Sequence, residues 1–188
     1  MKKLLLLVVL LSFSSFAFCD VITINFEQYA EYTQITNQYQ ASDGVTFTNA
    51  LQLVAPFYDW YDYPPHSGNG VITNDPNDPI QVNFTTSVVA NTVSFWYAAP
   101  GGIVAMAYDA NGNLIEVEDG ASTAGSDLEI AFSSTELVRW FTVSANLGPD
   151  SETVDDLKYT ATPEPGTLVL LGSGVLGLAG VLRRRLSR

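Results

Sequence analysis

Apolar and polar residues alternate with a period of two through much of the middle of the chain. The pattern is clearest at residues 22–27, 80–85 and 92–97, where apolar or aromatic side chains stand at every second position. A period of two is typical of β-strands with one buried face. Further segments with the composition of strands are residues 45–48, 51–54, 71–73, 103–108, 114–118, 128–132, 137–145 and 154–160.

Turn-forming residues separate these segments, among them the runs at 76–79, 100–102 and 148–150. Proline, glycine and asparagine at such places end a strand and reverse the chain. No stretch between residues 20 and 162 shows the period of an amphipathic helix. Roughly ten short strands divided by turns predict an all-β domain at residues 20–160, built as a two-sheet antiparallel sandwich of jelly-roll type.

The N-terminal segment differs from this pattern and has the parts of a secretory signal peptide. Two lysines precede an apolar run at residues 4–11, and small residues follow at Ala17 and Cys19, the spacing that signal peptidase requires. We expect a signal helix at residues 1–19 that is cleaved after Cys19, which leaves the mature chain without disulfides or thiolate metal sites. The alternative, that Cys19 is a lipidated cysteine, is disfavoured by the bulky Phe18 before it.

The C-terminal segment carries an apolar run at residues 167–182 that ends in an arginine cluster. A helix of this length spans about 25 Å, slightly less than a hydrocarbon core of about 30 Å, and arginines can extend to the headgroups. The positive-inside rule places Arg183, Arg184 and Arg185 in the cytoplasm and the domain outside. We expect a transmembrane helix at 167–182, and the simplest interpretation is a retained single-span anchor.

The order of the elements at this end supports a more specific interpretation. Pro163, Glu164 and Pro165 precede the glycine-rich apolar run, and the arginine cluster closes it close to the C-terminus. This arrangement resembles the PEP-CTERM sorting tail of Gram-negative bacteria that make exopolysaccharide. The resemblance implies that residues 161–188 are the substrate of an exosortase, a membrane-embedded protease or transpeptidase. The protein is then anchored in the inner membrane with its domain on the periplasmic side, and reaches the cell surface or extracellular matrix after processing.

Charge is distributed unevenly along the chain. Residues 20–162 contain only Arg139 and Lys158 as cationic side chains, against nineteen acidic residues, which gives this region a net charge near −17. Such a domain repels nucleic acid and anionic lipid headgroups, and it attracts divalent cations. Nucleic acid is therefore excluded as a partner.

The segment 57–65 is the most unusual in composition, with five aromatic and two acidic residues closed by two prolines. These rings cannot all point into one core, and exposed rings beside carboxylates are suited to stacking on sugars and bonding their hydroxyls. The candidate glycan contacts are Tyr58, Trp60, Tyr61 and Tyr63. The alternative is a long loop that folds over an edge of the sandwich and buries its own rings.

Five short motifs are spread along the predicted sandwich, at residues 24–27, 44–47, 93–97, 107–112 and 154–157. Together they are similar to the jelly-roll ectodomains of PEP-CTERM proteins and to galactose-binding-like and MAM-type sandwiches. The resemblance implies a structural calcium where the first and last strands meet, bound by Glu27, Asp155 and Asp156. The alternation of the last strand also predicts that Asp155 faces inward, where a carboxylate requires a cation or several hydrogen-bond donors. The alternative is that these acids cap strand ends in water or pair with Lys158 or Arg139.

No motif typical of an enzyme is present in the sequence. His66 is the one histidine, and the segment 67–70 after it reads as a turn rather than a nucleophile elbow. Residues 109–113 are similar to the start of an EF-hand loop, but they lack its later glycine and glutamate and are better explained as a hairpin turn. Two functions remain: a non-catalytic surface or matrix protein, and a carbohydrate-binding module that acts on exopolysaccharide through residues 57–65.

Overall fold

The computed structural model describes residues 20–74, 79–85, 88–148 and 151–163, together with Gly172, Gly174 and Gly177. The predicted signal helix at 1–19 and almost all of the predicted transmembrane helix at 167–182 lie outside the described residues. In the part of the chain that is described, no helix has the length and apolar character needed to cross a membrane.

Between residues 20 and 163, the described residues form twelve strands and one helical turn. The strands are β1 (Asp20–Ile24), β2 (Gln34–Ile35), β3 (Val45–Thr48), β4 (Ala50–Val54), β5 (Gly70–Asn74), β6 (Ile80–Phe84), β7 (Val88–Ala98), β8 (Ile103–Tyr108), β9 (Leu114–Gly120), β10 (Leu128–Phe132), β11 (Trp140–Ala145) and β12 (Thr153–Pro163). The helical turn, α1 (Gln40–Asp43), ends at Gly44 in the left-handed conformation, where glycine has no steric penalty.

Two sheets contain these strands. A seven-stranded sheet has the order β10-β7-β12-β5-β4-β2, with β1 beside β12, and a five-stranded sheet has the order β3-β6-β11-β8-β9. The pairings with a described register are antiparallel, and residues Asp20–Thr162 form one compact unit. The predicted two-sheet antiparallel sandwich is confirmed.

The side chains that alternate with a period of two in the sequence are alternately buried and partly exposed in the structure. Ile80, Val82 and Phe84 of β6 are buried, whereas the polar residues between them are partly exposed. Aromatic rings from the two sheets meet in the core, where Phe95 and Phe141 stack with centroids 5.5 Å apart and planes within 9°. Each such side chain contributes about 1.5–3 kcal/mol when it leaves water, so the alternating strands explain most of the fold.

Differences from the expected strands are local. The strand expected at 137–145 begins at Trp140, and Val138 forms an isolated bridge to Ala90. The hairpin expected at 109–113 is confirmed, because β8 and β9 pair on either side of it and the Asp109 carboxylate accepts hydrogen bonds from the N–H groups of Asn111 and Asn113, both at 2.8 Å.

The first and last strands run side by side and then separate. Asp20 pairs with Ala161 and Ile24 with Leu157, but just beyond this ladder Phe26 and Asp156 have φ values of 54° and 44°. Positive φ is uncommon for residues with a side chain and marks a forced change of direction. The acidic residues next to these two positions are therefore directed toward the loop between β4 and β5.

Candidate functional site

The loop between β4 and β5, residues 55–69, brings together most of the residues singled out in the sequence. It begins at a cis Ala55–Pro56 peptide, and its two ends are joined because the Ala55 N–H donates to the Asn69 carbonyl at 2.8 Å. Leu51 and Leu53 of β4 alternate with the buried Gln52. They lie on the face of the seven-stranded sheet that points away from the core, and the loop passes over that face.

The aromatic residues of this loop divide into two groups. Phe57, Trp60 and Tyr61 are 72%, 46% and 78% exposed, and the rings of Trp60 and Tyr61 lie 5.6 Å apart. Tyr58 and Tyr63 are half-buried against the sheet. Each of the two interpretations of this segment therefore describes part of the loop: it buries two of its rings and exposes three.

The half-buried rings line an open cavity of about 400 Å³, here called the tyrosine cavity. Its lining residues are Tyr32, Leu51, Leu53, Tyr58, Asp59, Tyr63, Thr73, Glu152 and Thr153. Of the four predicted glycan contacts, Tyr58 and Tyr63 lie at this cavity, whereas Trp60 and Tyr61 are not among the lining residues. The sequence did not indicate Tyr32, a 65% exposed residue with φ 59° in the loop before β2.

Tyr58 extends from the tyrosine cavity toward three acidic residues, of which Asp155 is buried, Glu31 is half-buried and Glu27 is exposed. Among the described residues, the buried Tyr58 hydroxyl has no hydrogen-bond partner, and neither does one buried carboxylate oxygen of Glu31, whose other oxygen accepts from the Val54 N–H. Burial raises the pKa of Tyr58, and the negative charges of Asp155, Glu31 and Glu27 raise it further. The cavity therefore has negative charge beneath it, including Glu31, which the sequence did not single out.

The three predicted calcium ligands all bind the segment 67–70. Glu27 accepts from the N–H groups of Asn69 and Gly70 at 2.9 and 2.7 Å. Asp155 accepts from the Ser67 N–H at 2.9 Å, and Asp156 accepts from the Ser67 hydroxyl at 3.0 Å.

Among the residues that the structure describes, no group of three histidine, cysteine, aspartate or glutamate side chains is arranged to hold a metal ion. The oxygens of Glu27 and Asp155 accept hydrogen bonds from backbone N–H groups, which already satisfy part of their bonding capacity. The structural calcium stays a prediction.

Asp155 is buried, as expected from the sequence, but for a different reason. Val154 and Leu157 both belong to the core cluster, and the positive φ of Asp156 interrupts the alternation between them. The side chain of Asp155 therefore points to the opposite side of the strand from Val154. There, Ser67 of the overlying loop contacts the Asp155 carboxylate. Burial raises the pKa of Asp155 to about 7, against the lowering effect of the hydrogen bond from Ser67.

His66 fixes the end of the same loop to two neighbouring segments. Its Nδ1 donates to Asp127 at 2.5 Å, its Nε2 lies 3.9 Å from Asp156, and its ring stacks on Trp96 with centroids 3.6 Å apart. The Ser67 hydroxyl donates to Asp156. A serine nucleophile must donate its hydroxyl proton to a histidine that acts as the base. The Ser67 hydroxyl donates to the Asp156 carboxylate instead of to His66.

The C-terminal segment is the part of the chain that a protein-family model matches. Residues 161–185 match the model of the PEP-CTERM protein-sorting motif. The tail is a PEP-CTERM sorting motif. This motif indicates an exported protein that is anchored in a membrane before exosortase processing.

The PEP-CTERM motif begins within β12, and Pro163 is the last residue of that strand. The other predicted motif residues, Glu164, Pro165 and the arginines at 183–185, lie outside the described part of the chain. No curated protein sequence matches this chain significantly.

Several solved structures resemble the sandwich of this chain. The K2 cleaved adhesin domain of Lys-gingipain is 15% identical, with 75% of this chain and 99% of that chain covered and a TM-score of 0.50. A family 35 carbohydrate-binding module from Clostridium thermocellum is 14% identical, with 74% of this chain and 97% of that chain covered and a TM-score of 0.43. The CBM22-1 xylan-binding domain of Paenibacillus barcinonensis Xyn10C is 11% identical, with 80% of this chain and 99% of that chain covered and a TM-score of 0.42. At these identities the likeness concerns the fold alone, a jelly-roll-like β-sandwich.

Proposed function

We propose that this protein is a non-catalytic surface or matrix protein, sorted through its PEP-CTERM motif by an exosortase, whose sandwich binds carbohydrate in the tyrosine cavity. The tail supports the first part, because it matches a motif that directs export and anchoring. The observation that carries the second part is the cavity of about 400 Å³ with three tyrosines around it. Exopolysaccharide is the carbohydrate that an exosortase substrate would meet at the cell surface.

The chemistry of the cavity supports a sugar as its ligand. A pyranose ring has an apolar face that packs on aromatic rings and a periphery of hydroxyls that need hydrogen-bond partners. Tyr32, Tyr58 and Tyr63 provide the rings, and the exposed Asp59 provides a carboxylate in the same lining. The leucines of β4 form the apolar floor.

A binding role also agrees with the arrangement of the ionisable groups that are described. Glu27 and Asp155 accept backbone hydrogen bonds, and His66 is held between Asp127 and Trp96. These contacts use the groups to position the loop. A hydrolase would instead need an acid or base directed at a substrate.

A matched pair of tyrosine variants tests the carbohydrate proposal. The full chain, purified in a detergent without a sugar headgroup, is screened on a glycan array, and ligands are titrated by calorimetry. Tyr32→Ala, at the cavity, is expected to weaken binding at least about fivefold, or about 1 kcal/mol. Tyr61 is also largely exposed but lies outside the cavity lining, and Tyr61→Ala is expected to leave binding unchanged.

Two results contradict this proposal in different ways. Absence of any glycan ligand for the unaltered chain removes the binding function and leaves a structural surface protein. Loss of binding in Tyr61→Ala with retention in Tyr32→Ala moves the site to the exposed tip of the loop, away from the cavity.

A further inference from the structure

The charges around the tyrosine cavity are of one sign. Asp59 and Glu152 are the ionisable residues that line it besides the tyrosines. Neither cationic side chain of the domain belongs to its lining: Lys158 lines a separate groove near Thr92 and Glu129, and the Arg139 guanidinium donates to the Thr85 carbonyl at 2.6 Å. An anionic sugar would therefore meet repulsion at this cavity without a compensating cation.

The field of these acids reaches the rings of the cavity. Burial raises the pKa of Tyr63, and the negative charges of Asp62, Asp59 and Glu152 raise it further. Because the Tyr63 hydroxyl lies in the negative potential of the exposed Asp59 and Asp62, a ligand with positive charge gains energy there that a neutral ligand does not.

We propose that the tyrosine cavity selects glycans that carry free amino groups, such as deacetylated hexosamine oligomers. This inference rests on the proposed carbohydrate binding and specifies its ligand class. The exposed carboxylate of Asp59 is the group that binds the ammonium, through a charge-assisted hydrogen bond.

The aromatic rings favour the same ligand. An ammonium group over the face of a tyrosine is attracted by the ring quadrupole, and the exposed ring of Tyr32 offers such a face at the cavity. The net charge near −17 of residues 20–162 adds a long-range attraction that raises the rate of encounter with a cationic polymer. An uncharged or acidic polymer has neither advantage.

Three tetrasaccharides that differ in charge provide the test: chitotetraose with every amine free, the same oligomer fully N-acetylated, and tetragalacturonate. Each is titrated into the full chain in a detergent without sugar headgroups, at a mildly acidic pH that protonates the amines. The deacetylated oligomer is expected to bind about tenfold more tightly than the acetylated one. This preference should shrink strongly in about 1 M NaCl, because salt screens charges beyond about 3 Å.

Two charge variants distinguish binding at the tyrosine cavity from nonspecific attraction to the acidic surface. Asp59→Asn is expected to weaken binding of the deacetylated oligomer about threefold to tenfold and to weaken binding of the acetylated oligomer much less, because asparagine can still hydrogen-bond sugar hydroxyls. Asp119→Asn removes the same charge from β9 in the other sheet and should alter neither. If the deacetylated oligomer still binds Tyr32→Ala as tightly as the parent, it binds the surface at large, and the amino-sugar proposal is wrong.

The outcomes for this inference and for carbohydrate binding are distinct. Equal or tighter binding of the acetylated oligomer, or of tetragalacturonate, overturns the amino-sugar preference while carbohydrate binding stands. If no glycan of any charge binds, here or on the array, both proposals fall together.

Discussion

Gly68 lies directly against the carboxylate of Glu27, so that a Cβ atom at Gly68 would overlap its carboxyl carbon and both oxygens. Gly68 also has φ +53°, a conformation that costs other residues about 1 kcal/mol or more. Glu27 cannot move away without losing the hydrogen bonds from Asn69 and Gly70. Gly68→Ala is therefore expected to lower the free energy of unfolding by about 2–4 kcal/mol, as measured by chemical denaturation.

Gly112→Ala is the matched control for this substitution. Gly112 also has positive φ, at +81°, but no atom of the described residues lies within 4 Å of the position that a Cβ would take there. Only the backbone cost of about 1 kcal/mol therefore applies. Equal losses in the two variants would show that the Glu27 contact contributes nothing.

The protonation of Asp155 links stability to pH. Its pKa rises from 3.8 in the unfolded chain to about 7 in the folded protein, so between these values the folded state keeps a proton that the unfolded state has lost. The stabilisation is complete below about pH 4 and is lost as the pH rises to about 7, with a total on the order of a few kcal/mol.

Denaturation in the presence of a chelator, at a series of pH values from 4 to 7, measures this effect. Asp155→Asn has no proton to lose, so its stability should fall less steeply with pH than that of the parent. Parallel curves for the two proteins would mean that Asp155 is ionised in the fold throughout this range.

Calcium binding by Glu27, Asp155 and Asp156, as the resemblance to calcium-bearing sandwiches implies, predicts a rise in melting temperature. A ligand that binds only the native state stabilises it by mass action, by about 2.7 kcal/mol at a concentration one hundred times its Kd. Scanning calorimetry in calcium and in chelator checks this, and the difference should vanish in Asp155→Asn. Superimposable scans for the parent protein would exclude the site.

Trp60 and Phe95 should respond very differently to truncation. Trp60 is 46% exposed and touches its neighbour Tyr61, so Trp60→Ala is expected to change the melting temperature by no more than a few degrees. Phe95 is fully buried against Phe141, and Phe95→Ala should cost about 3–5 kcal/mol. A comparable loss in Trp60→Ala would identify the loop tip as part of the core.

Processing of the PEP-CTERM tail is open to direct measurement. In a host that has an exosortase, the mature protein is expected to lose residues from its C-terminus, whereas a host without the enzyme should keep the tail intact. Intact-mass spectrometry of both products distinguishes them. An unchanged C-terminus in the first host would leave a plain membrane anchor.

The alternation of apolar and polar residues was sufficient to predict most strands. Residues such as Ile80, Val82 and Phe84 indicate the buried face of their strand even when the neighbouring strands are unknown. The elements that were not predicted, β2 and α1, have two and four residues. A period cannot be recognised over so short a length, and tertiary contacts determine these elements: the Phe47 N–H donates to the Thr36 carbonyl just after β2, at 2.7 Å.

The candidate site was less accessible from the sequence than the fold. The composition of residues 57–65 indicated exposed aromatic rings, but a loop has no period, so nothing distinguished the inward Tyr58 and Tyr63 from the outward Trp60 and Tyr61. Tyr32 lies between Glu31 and Thr33 in the sequence. It reaches the cavity only because the chain folds back along β4, where its N–H donates to the Gln52 carbonyl at 2.8 Å. Such long-range proximity has no local signal.

Strand β12 runs from the tyrosine cavity to the start of the sorting motif. Thr153 at its first residue lines the tyrosine cavity, and Ala161 near its other end pairs with Asp20 and begins the sorting motif. Eight residues of extended chain separate these points by roughly 25 Å. The tyrosine cavity and the start of the sorting motif therefore occupy opposite ends of a single strand, so that the two predicted functions are kept apart within the domain.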